Sequence, residues 1–415
     1  MTIRLIQASM FLILAACAAS GPSAAQAGDN QTAPATVNGK PFTVSEVATF
    51  DTPWAIAFLP GSSTALVTEK PGHLWLVDVA NGQKTPVSGV PDVLFKGQGG
   101  LLDVAVSPHF ANDRLVYLSY SRPTPDGGSG FALARGKLVR GADGAKLQEL
   151  QVIWRDPEGG QGGQFGARIA FAPDGKSLFL SSGERQRFTP AQDPNEPLGK
   201  ILHLTLDGKP APGNPMAGKT GAPTVTITDP PKNTEVAKTL EGRTFKWPGA
   251  NLTPAETWTT GHRNPYGLMF APDGRLWETE MGPQGGDELN LIEPGRNYGW
   301  PVVSNGDNYD DVPIPDHPTH PEFAAPKVWW NPSVAPSGLL IYTGDAFPQW
   351  KGDALIPTLA GQTLIHVDID GDDAKKADEW DMGERIRGIA QGPDGAVYLI
   401  QDGEDAKLVR LVRVK

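Results

Sequence analysis

Short apolar runs separated by turn-forming residues extend along most of the chain. Runs such as residues 55–58, 72–77 and 101–106 are only a few residues long and combine aliphatic with aromatic side chains. Glycine, proline, aspartate and asparagine lie between the runs, which is typical of strands joined by turns. No stretch has the 3.6-residue apolar period of a long amphipathic helix. The pattern therefore predicts an all-β protein.

One strand–turn–strand signature occurs three times. Pro-Asp-Gly turns at residues 173–175, 272–274 and 393–395 each separate two apolar runs. Proline sets φ for such a turn, and glycine accepts the positive φ that follows. A hairpin that recurs along an all-β chain favours a β-propeller, whose blades repeat one four-stranded unit. The alternative is a β-sandwich, but this length would require two sandwich domains and no linker divides the chain.

Composition narrows the class of protein. The 49 glycines and 39 prolines among 415 residues supply turns and break helices. With 39% hydrophobic residues the chain has material for a core, which excludes a disordered protein. The 36 basic and 47 acidic residues give a net charge of −11, which argues against nucleic-acid binding. The single cysteine excludes a disulfide framework and a Cys-x-x-Cys metal site.

The N-terminus is predicted to be an export signal. Arg4 precedes an apolar stretch, residues 5–16, that is shorter than a membrane span. Residues 25–27, Ala-Gln-Ala, form one cleavage site, whereas residues 14–17, Leu-Ala-Ala-Cys, resemble a lipobox in which Cys17 is lipidated. The two interpretations remain open. Both predict export, either to the periplasm or to the outer membrane as a lipoprotein whose only membrane contact is its lipid.

The predicted organisation has three parts. Residues 1–27 are a signal peptide, residues 28–40 a tether of mostly small and polar residues, and residues 41–415 the propeller domain. No later stretch reaches the ~18 apolar residues of a transmembrane helix. Residues 210–256 are rich in proline, threonine, lysine and glycine and interrupt the strand rhythm. They predict an insertion or long loop between blades, where long loops are often functional.

Three local patterns carry candidate chemistry. Arg263 and Asn264 can hold carbonyl or carboxylate oxygens of a planar ligand, with a surface turn as the alternative. The loop and paired carboxylates of residues 282–290 offer the oxygen ligands that Ca²⁺ prefers, with a solvated acidic turn as the alternative. Arg385 and Arg387 lie on one face of a strand and favour an anion, unless they are simply exposed.

As an ordered set, several segments resemble the soluble quinoprotein sugar dehydrogenases of the glucose/sorbosone dehydrogenase group, nearer its aldose sugar dehydrogenase branch. The segments are residues 97–102, 165–169, 198–202, 261–265, 282–283 with 287–290, and 297–301. The resemblance implies a six-bladed β-propeller that carries pyrroloquinoline quinone (PQQ) and Ca²⁺. It implies hydride transfer from the anomeric carbon of an aldose to PQQ, which yields a lactone, and an external electron acceptor other than oxygen.

The resemblance also implies which residues bind the quinone. By position these are Gln98, Arg263, Asn264, Arg385 and Arg387. The quinone has three carboxylates, and arginine pairs with carboxylates through two parallel hydrogen bonds. A lysine that contacts the quinone in the family is replaced here by Ala360.

Metal and substrate positions follow from the same resemblance. The carbonyls of Gly282 and Pro283 would bind the Ca²⁺ that polarises the quinone oxygens. Glu288 and the Tyr298 carbonyl would bind a second, structural Ca²⁺. Trp330 matches an aromatic residue at the sugar pocket, with packing in the core as the alternative.

One departure concerns the general base. The family has a histidine directly before a Phe-Gly or Tyr-Gly pair, and this chain has Gln164 before Phe165-Gly166. An amide orients a hydroxyl but does not accept its proton, and loss of a general base typically costs about 10²–10⁴-fold in rate. Glu184 matches an acidic position near the pocket and is the predicted substitute, acting through water.

The sequence therefore supports two possible functions of different classes. The first is a periplasmic quinoprotein dehydrogenase that acts on an aldose or a related polyol, with Gln164, Arg263 and Glu184 at the reacting centre. The second is a catalytically silent propeller that binds a carbohydrate or a protein partner. The quinone-binding residues favour the first function, whereas Gln164 and Ala360 favour the second.

Overall fold

The computed structural model describes residues 39–125, 127–141, 144–156, 163–227 and 243–414. The predicted signal peptide, its lipobox cysteine and nearly all of the predicted tether lie outside these residues. Within the described ranges, no helix has both the length and the apolar character needed to cross a membrane.

Strands make up nearly all of the regular structure. In chain order they are β1 (Phe42–Phe50), β2 (Pro53–Phe58), β3 (Thr64–Glu69), β4 (His73–Asp78), β5 (Gln83–Ser88), β6 (Leu101–Val106), β7 (Leu115–Pro123), β8 (Ser129–Gly141), β9 (Gly144–Arg155), β10 (Gly166–Phe171), β11 (Ser177–Ser182), β12 (Lys200–Thr205), β13 (Thr224–Ile227), β14 (Arg243–Lys246), β15 (Thr257–Thr260), β16 (Pro265–Phe270), β17 (Leu276–Glu280), β18 (Gln284–Gly285), β19 (Asp287–Ile292), β20 (Gly306–Asp307), β21 (Val328–Trp330), β22 (Leu340–Ile341), β23 (Ala354–Pro357), β24 (Thr363–Asp370), β25 (Asp373–Asp381), β26 (Ile386–Gln391), β27 (Val397–Gln401) and β28 (Ala406–Arg413). The described helices are single turns: α1 (Phe110–Asp113), α2 (Thr253–Glu256), and 3₁₀ turns at Thr189–Gln192, His317–Thr319 and Pro348–Trp350.

The repeating unit is a four-stranded antiparallel sheet. Four such sheets have the strand orders β10-β11-β12-β15, β16-β17-β19-β21, β22-β23-β24-β25 and β1-β28-β27-β26. An eight-stranded sheet, β2-β3-β4-β5-β9-β8-β7-β6, consists of two further units joined by a short parallel contact between β5 and β9. The minor sheets β13-β14 and β18-β20 lie outside this series.

The sheets are arranged around a common axis. The first strands of successive units, β2, β6, β10, β16, β22 and β26, each contact the next, and β26 contacts β2. The N-terminal strand β1 pairs with β28, with Phe42 opposite Arg413, so the two ends of the domain share one sheet. This closure leaves no open end in the ring of sheets. The predicted all-β propeller is confirmed, whereas the six-blade count rests on the resemblance and on counting the joined sheet as two units.

Central strands are buried on both faces because each sheet packs against two neighbours. Strand β11 is buried at every residue, and β3 at all but its first. Apolar clusters fill the spaces between adjacent sheets, as with Trp277, Ile341 and Ile356. Burial on both faces explains why the strands appear in the sequence as short continuous apolar runs rather than as an apolar–polar alternation.

The long segment between β12 and β15 lies within one four-stranded sheet. Strands β12 and β15 remain neighbours in the same sheet, and the chain between them forms the β13–β14 hairpin, with Thr224 opposite Lys246. The expectation of a loop between blades is therefore corrected to a loop between the third and fourth strands of one sheet. Residues 228–242 of this excursion lie outside the described residues.

Candidate active site

Two loops meet at the ends of β10 and β11. The Gly183 N–H donates to the Phe165 carbonyl at 3.0 Å, and the Arg185 N–H to the Gln164 carbonyl at 3.3 Å. A Cβ on Gly183 would lie 2.0 Å from the Gln164 carbonyl oxygen, so only glycine allows this approach. Positive φ angles at non-glycine residues cluster here, at Gln164, Ala167, Arg185, Gln186 and Phe188. Such strained conformations are typical of functional sites.

Gln164 lies at the junction of the predicted catalytic residues. Its side chain is buried, and its backbone N–H donates to the Gln98 Oε1 at 2.6 Å. With the amide oriented so that both of its polar atoms have partners, Nε2 donates to Glu184 and Oε1 accepts from the Arg263 Nη2 at 2.8 Å. The fold thus brings Gln98, Gln164, Glu184 and Arg263 into one contiguous group.

Glu184 is a buried carboxyl held by the turn that follows it. It is 1% exposed, and its Oε2 accepts from the N–H groups of Phe188, at 2.5 Å, and Arg187. Burial raises the pKa of Glu184, and the charge of Arg263 and the two backbone donors offset only part of that effect. A buried carboxyl with a raised pKa is suited to accept a proton, and this one contacts Gln164.

Arg263 is fixed by backbone carbonyls. Its Nη1 donates to the carbonyls of Met281, at 2.9 Å, and Gly282, at 2.6 Å. The guanidinium carbon lies 5.3 Å from the Trp300 ring centre and 5.7 Å from that of Tyr309. Its Nη2 donates to the Tyr309 hydroxyl at 3.2 Å as well as to Gln164, so these contacts fix the orientation of Arg263 beside the predicted reacting centre.

Asn264 and Tyr266 continue the polar lining. The Asn264 Oδ1 accepts from the Gly166 N–H at 3.2 Å, which ties the predicted quinone-binding segment to the loop that carries Gln164. The Tyr266 hydroxyl donates to the Gln98 Oε1 at 3.4 Å. Sequence reasoning missed Tyr266, although it follows Arg263-Asn264-Pro265 directly and that proximity was the available signal.

Arg385 and Arg387 share one carboxylate. Their Nε atoms donate to the two oxygens of Asp402, at 2.9 and 2.8 Å. The Arg385 side chain is 46% exposed and that of Arg387 10%. Burial opposes ionisation of Asp402, but the two guanidinium groups lower its pKa overall. Of these two side chains, Arg387 also lies within electrostatic range of Tyr266.

A buried acidic cluster lies behind Arg263. Ligand atoms of His262, Glu278 and Glu280 all lie within 4.8 Å of one another. Burial, and then the charge of Glu280, raise the pKa of Glu278 well above its usual range. The Glu278 Oε1 and the Asn290 Oδ1 are buried without a hydrogen-bond partner. Unpartnered oxygens among carboxylates fit a hard cation such as Ca²⁺.

Three of the predicted metal-binding residues line one small cavity. Gly282, Glu288 and Tyr298 lie around it together with Arg263 and Glu280. Glu288 and Tyr298 thus share a cavity with Glu280 of the acidic cluster, and this set of residues fits a structural cation. The Gly282 carbonyl already accepts a hydrogen bond from Arg263. Pro283 is buried beside Gly282 and is not among the residues that line this cavity.

Two further candidates have structural roles. Trp330 is 4% exposed and belongs to the apolar cluster around Trp277, so it has the core-packing role that was the alternative to a place in the sugar pocket. Both nitrogens of His262 are engaged, by the Thr259 Oγ1 at 2.9 Å and the Glu280 Oε1 at 3.0 Å. His262 is therefore held between Thr259 and Glu280, with neither ring nitrogen free.

Arg185 anchors the loop that carries Gln164. It is 1% exposed, and its Nη1 lies 3.3 Å from the Asp156 Oδ2. Its Nε donates to the Gly163 carbonyl at 3.1 Å, and its guanidinium carbon lies 3.9 Å from the Phe165 ring centre. No sequence signal distinguished Arg185 from a surface arginine, because Asp156 and Gly163 reach it only in the folded chain.

These features define an all-β propeller with a charged site between its loops, and the chain belongs to the glucose/sorbosone dehydrogenase family. The family model matches residues 50–228 and 246–410. The aldose sugar dehydrogenase YliI of Escherichia coli is 35% identical over 388 residues, which are 91% of this chain and 94% of that protein.

Similarity to solved structures supports the same family assignment. A crystal structure of a glucose dehydrogenase has a TM-score of 0.76 and 38% identity, and the match covers 90% of this chain and all of that one. The PQQ-bound aldose sugar dehydrogenase from Streptomyces coelicolor has a TM-score of 0.66 and 27% identity, over 89% of this chain and 98% of that one.

Proposed function

We propose that this protein is an exported quinoprotein that oxidises an aldose or a related polyol and passes the electrons to an external acceptor. The observation that carries the proposal is the contact of the Gln164 amide with both Glu184 and Arg263, beside Gln98. Relatives named as aldose sugar and glucose dehydrogenases, one of them with PQQ bound, support the reaction class.

The proposed division of labour follows the contacts. When bound, PQQ supplies the acceptor for the hydrogen and the electron pair that leave the sugar carbon. Arg263 and Asn264 would hold the oxygens of the quinone. The Gln164 amide would orient the sugar hydroxyl, and Glu184 would take its proton through a water molecule, because its carboxyl lies next to that amide.

The proposal also includes two cation sites formed by oxygen ligands. Gly282 and Pro283 would offer carbonyls to a Ca²⁺ beside the quinone, and Glu288 with the Tyr298 carbonyl would hold a structural Ca²⁺. The buried, unpartnered oxygens of Glu278 and Asn290 support a cation in this region. Ca²⁺ would offset the repulsion among the buried carboxylates.

Reconstitution tests the proposal. Purified protein mixed with PQQ and Ca²⁺ is expected to acquire the absorbance of the bound quinone, and an excess of aldose should bleach it. EDTA-treated protein without added Ca²⁺ serves as the control. Absence of quinone binding by the folded protein would refute the proposal. Binding without bleaching by any aldose or polyol would instead favour the silent propeller, which the amide at position 164 also favours.

Loss of both strand arginines should weaken quinone binding. The double change Arg385→Ala and Arg387→Ala removes two cations and leaves Asp402 without either partner. Each charge-assisted hydrogen bond contributes about 1.5–3 kcal/mol, so the affinity should fall by about a hundredfold or more. Calorimetric titration with PQQ measures the effect. The Arg410→Ala variant, which breaks an ion pair with Asp394 in the same sheet, is the control and should bind normally.

Export is proposed from the N-terminal signal. If Cys17 is lipidated, wild-type protein should fractionate with membranes and the Cys17→Ser variant should move to the soluble periplasmic fraction. Cell fractionation followed by mass spectrometry of the mature N-terminus measures this. A wild type that is entirely soluble and begins at Gly28 would exclude lipidation and support cleavage after Ala27.

A further inference from the structure

Lys70 is a third cation near Arg385 and Arg387 and comes from the opposite end of the chain. It follows β3 directly, and its backbone N–H donates to the Thr52 carbonyl at 3.0 Å. The Thr52 N–H in turn donates to the Gly403 carbonyl at 2.8 Å, and Gly403 is the residue after Asp402. Two backbone hydrogen bonds therefore hold Lys70 beside the segment that carries the shared carboxylate.

The loop that contains Gln98 also contacts the backbone of Lys70. The Leu101 N–H donates to the Lys70 carbonyl at 2.9 Å. Gly100 has a φ of +145°, and a Cβ there would lie 2.3 Å from the Lys70 carbonyl oxygen, so this approach requires glycine. Lys70 thus lies between two groups of predicted quinone contacts, the Gln98 loop and the paired arginines.

The charges near Lys70 do not cancel. Its ammonium nitrogen lies 5.5 Å from the Phe95 ring centre, and within the described part of the chain it has no carboxylate partner. Burial, and then the charge of Arg387, lower the pKa of Lys70, while Asp402 offsets part of this. Among the described residues, the charges that act on Lys70 are those of Arg387, Arg385 and Asp402, so three cations lie near one carboxylate. A site with surplus positive charge and partial burial selects an anion.

We propose that Lys70, Arg385 and Arg387 form the anion-binding end of the site and that Lys70 pairs with a carboxylate of the quinone. This inference rests on the proposed function. Lys70, which directly follows β3, would make the contact with the quinone that Ala360 does not make. Ala360 is exposed and uncharged, so the positive charge is supplied from another sheet.

The test is calorimetric titration of the full-length protein with PQQ in the presence of Ca²⁺, which does not depend on turnover. Lys70→Met keeps the length of the side chain and removes its charge, and the affinity should fall by about 10- to 100-fold. Lys70→Arg keeps the charge and should remain within a few fold of wild type. Lys351→Met removes an exposed lysine paired with Asp345 and controls for net charge.

Salt dependence provides a second readout. If Lys70 contributes an ion pair, the affinity of wild type should fall more steeply with KCl than that of Lys70→Met. Lys70→Gln is measured in parallel in case the methionine variant does not fold. Equal affinity of wild type and folded Lys70→Met or Lys70→Gln would overturn this inference and leave the proposed function standing. A wild type that binds no PQQ would overturn both.

Discussion

Replacement of Gln164 by histidine should raise the rate of aldose oxidation by about 10²–10⁴-fold, which is the typical contribution of a general base. Wild type is expected to be slow on common aldoses, because an amide does not accept the hydroxyl proton. The fold already provides a buried position between Glu184 and Arg263 for the side chain of residue 164, and Phe165-Gly166 follows this residue as in the family. An imidazole of similar reach would therefore occupy the place of the amide and take the proton.

Single-turnover bleaching of the PQQ-loaded protein measures this prediction without knowledge of the acceptor. The rate of Gln164→His should rise with pH as the imidazole loses its proton, around the reference pKa of ~6.5. The gain should vanish without PQQ or Ca²⁺. Gln164→Asn, a shorter amide, is the matched control and should show no gain. Wild-type turnover at ordinary enzyme rates, ~1–10³ s⁻¹, would contradict this prediction and show that a group already present, with Glu184 as the first candidate, is an efficient base.

The second large effect concerns Glu184 in the wild-type background. Replacement of Glu184 by glutamine should lower the residual oxidation rate by about 10²–10⁴-fold, because it removes the one carboxyl that contacts Gln164 among the described residues. Burial raises the pKa of Glu184 from 4.5, so the wild-type rate should rise as pH increases through that raised value. The oxidation rate of Glu184→Gln should not show this rise with pH.

The Glu184→Gln change should lower the oxidation rate without lowering the stability of the folded protein. A carboxyl whose pKa is raised by folding stabilises the folded state least at pH values above that raised pKa. At pH values above that raised pKa, the melting temperature of Glu184→Gln should therefore stay at or above that of wild type. Glu196→Gln is the matched control, since Glu196 is also buried, with its pKa raised to about 7, and the charges that act on it are those of Arg187, Asp193 and Lys200.

A double-mutant cycle separates the two bases. Glu184→Gln should be costly in wild type and much less costly in Gln164→His, because the imidazole then accepts the proton. Equal loss in both backgrounds would show that Glu184 positions the loop and does not take the proton. The same cycle run at several pH values assigns each limb of the profile to its group.

The fold was largely predictable because its signal is local. Apolar runs that are buried on both faces and Pro-Asp-Gly turns between strands depend only on neighbouring residues, and they predicted an all-β propeller. The excursion within residues 210–256 was visible as a change of composition. Its placement between β12 and β15 was not, because strand neighbours in a sheet depend on pairing between distant segments.

The site was predictable only in part. The resemblance named Gln98, Gln164, Glu184 and Arg263, and the fold brings them into contact. It did not indicate that Arg385 and Arg387 share Asp402, and the sequence left Trp330 open between the sugar pocket and the core, where it packs. Partners separated by many residues are set by packing, and a single sequence does not encode their distance.

The sequence by itself determined the strand content, the turns and the family, and it predicted that Gln164 stands where the family has a histidine. Those features depend on residue identity and short spacing. The tertiary structure alone decided that Glu184 contacts Gln164 and that backbone hydrogen bonds through Thr52 connect Lys70 to the segment that follows Asp402. Ring closure places β2 next to β26, and this brings residues from the two ends of the chain to one site.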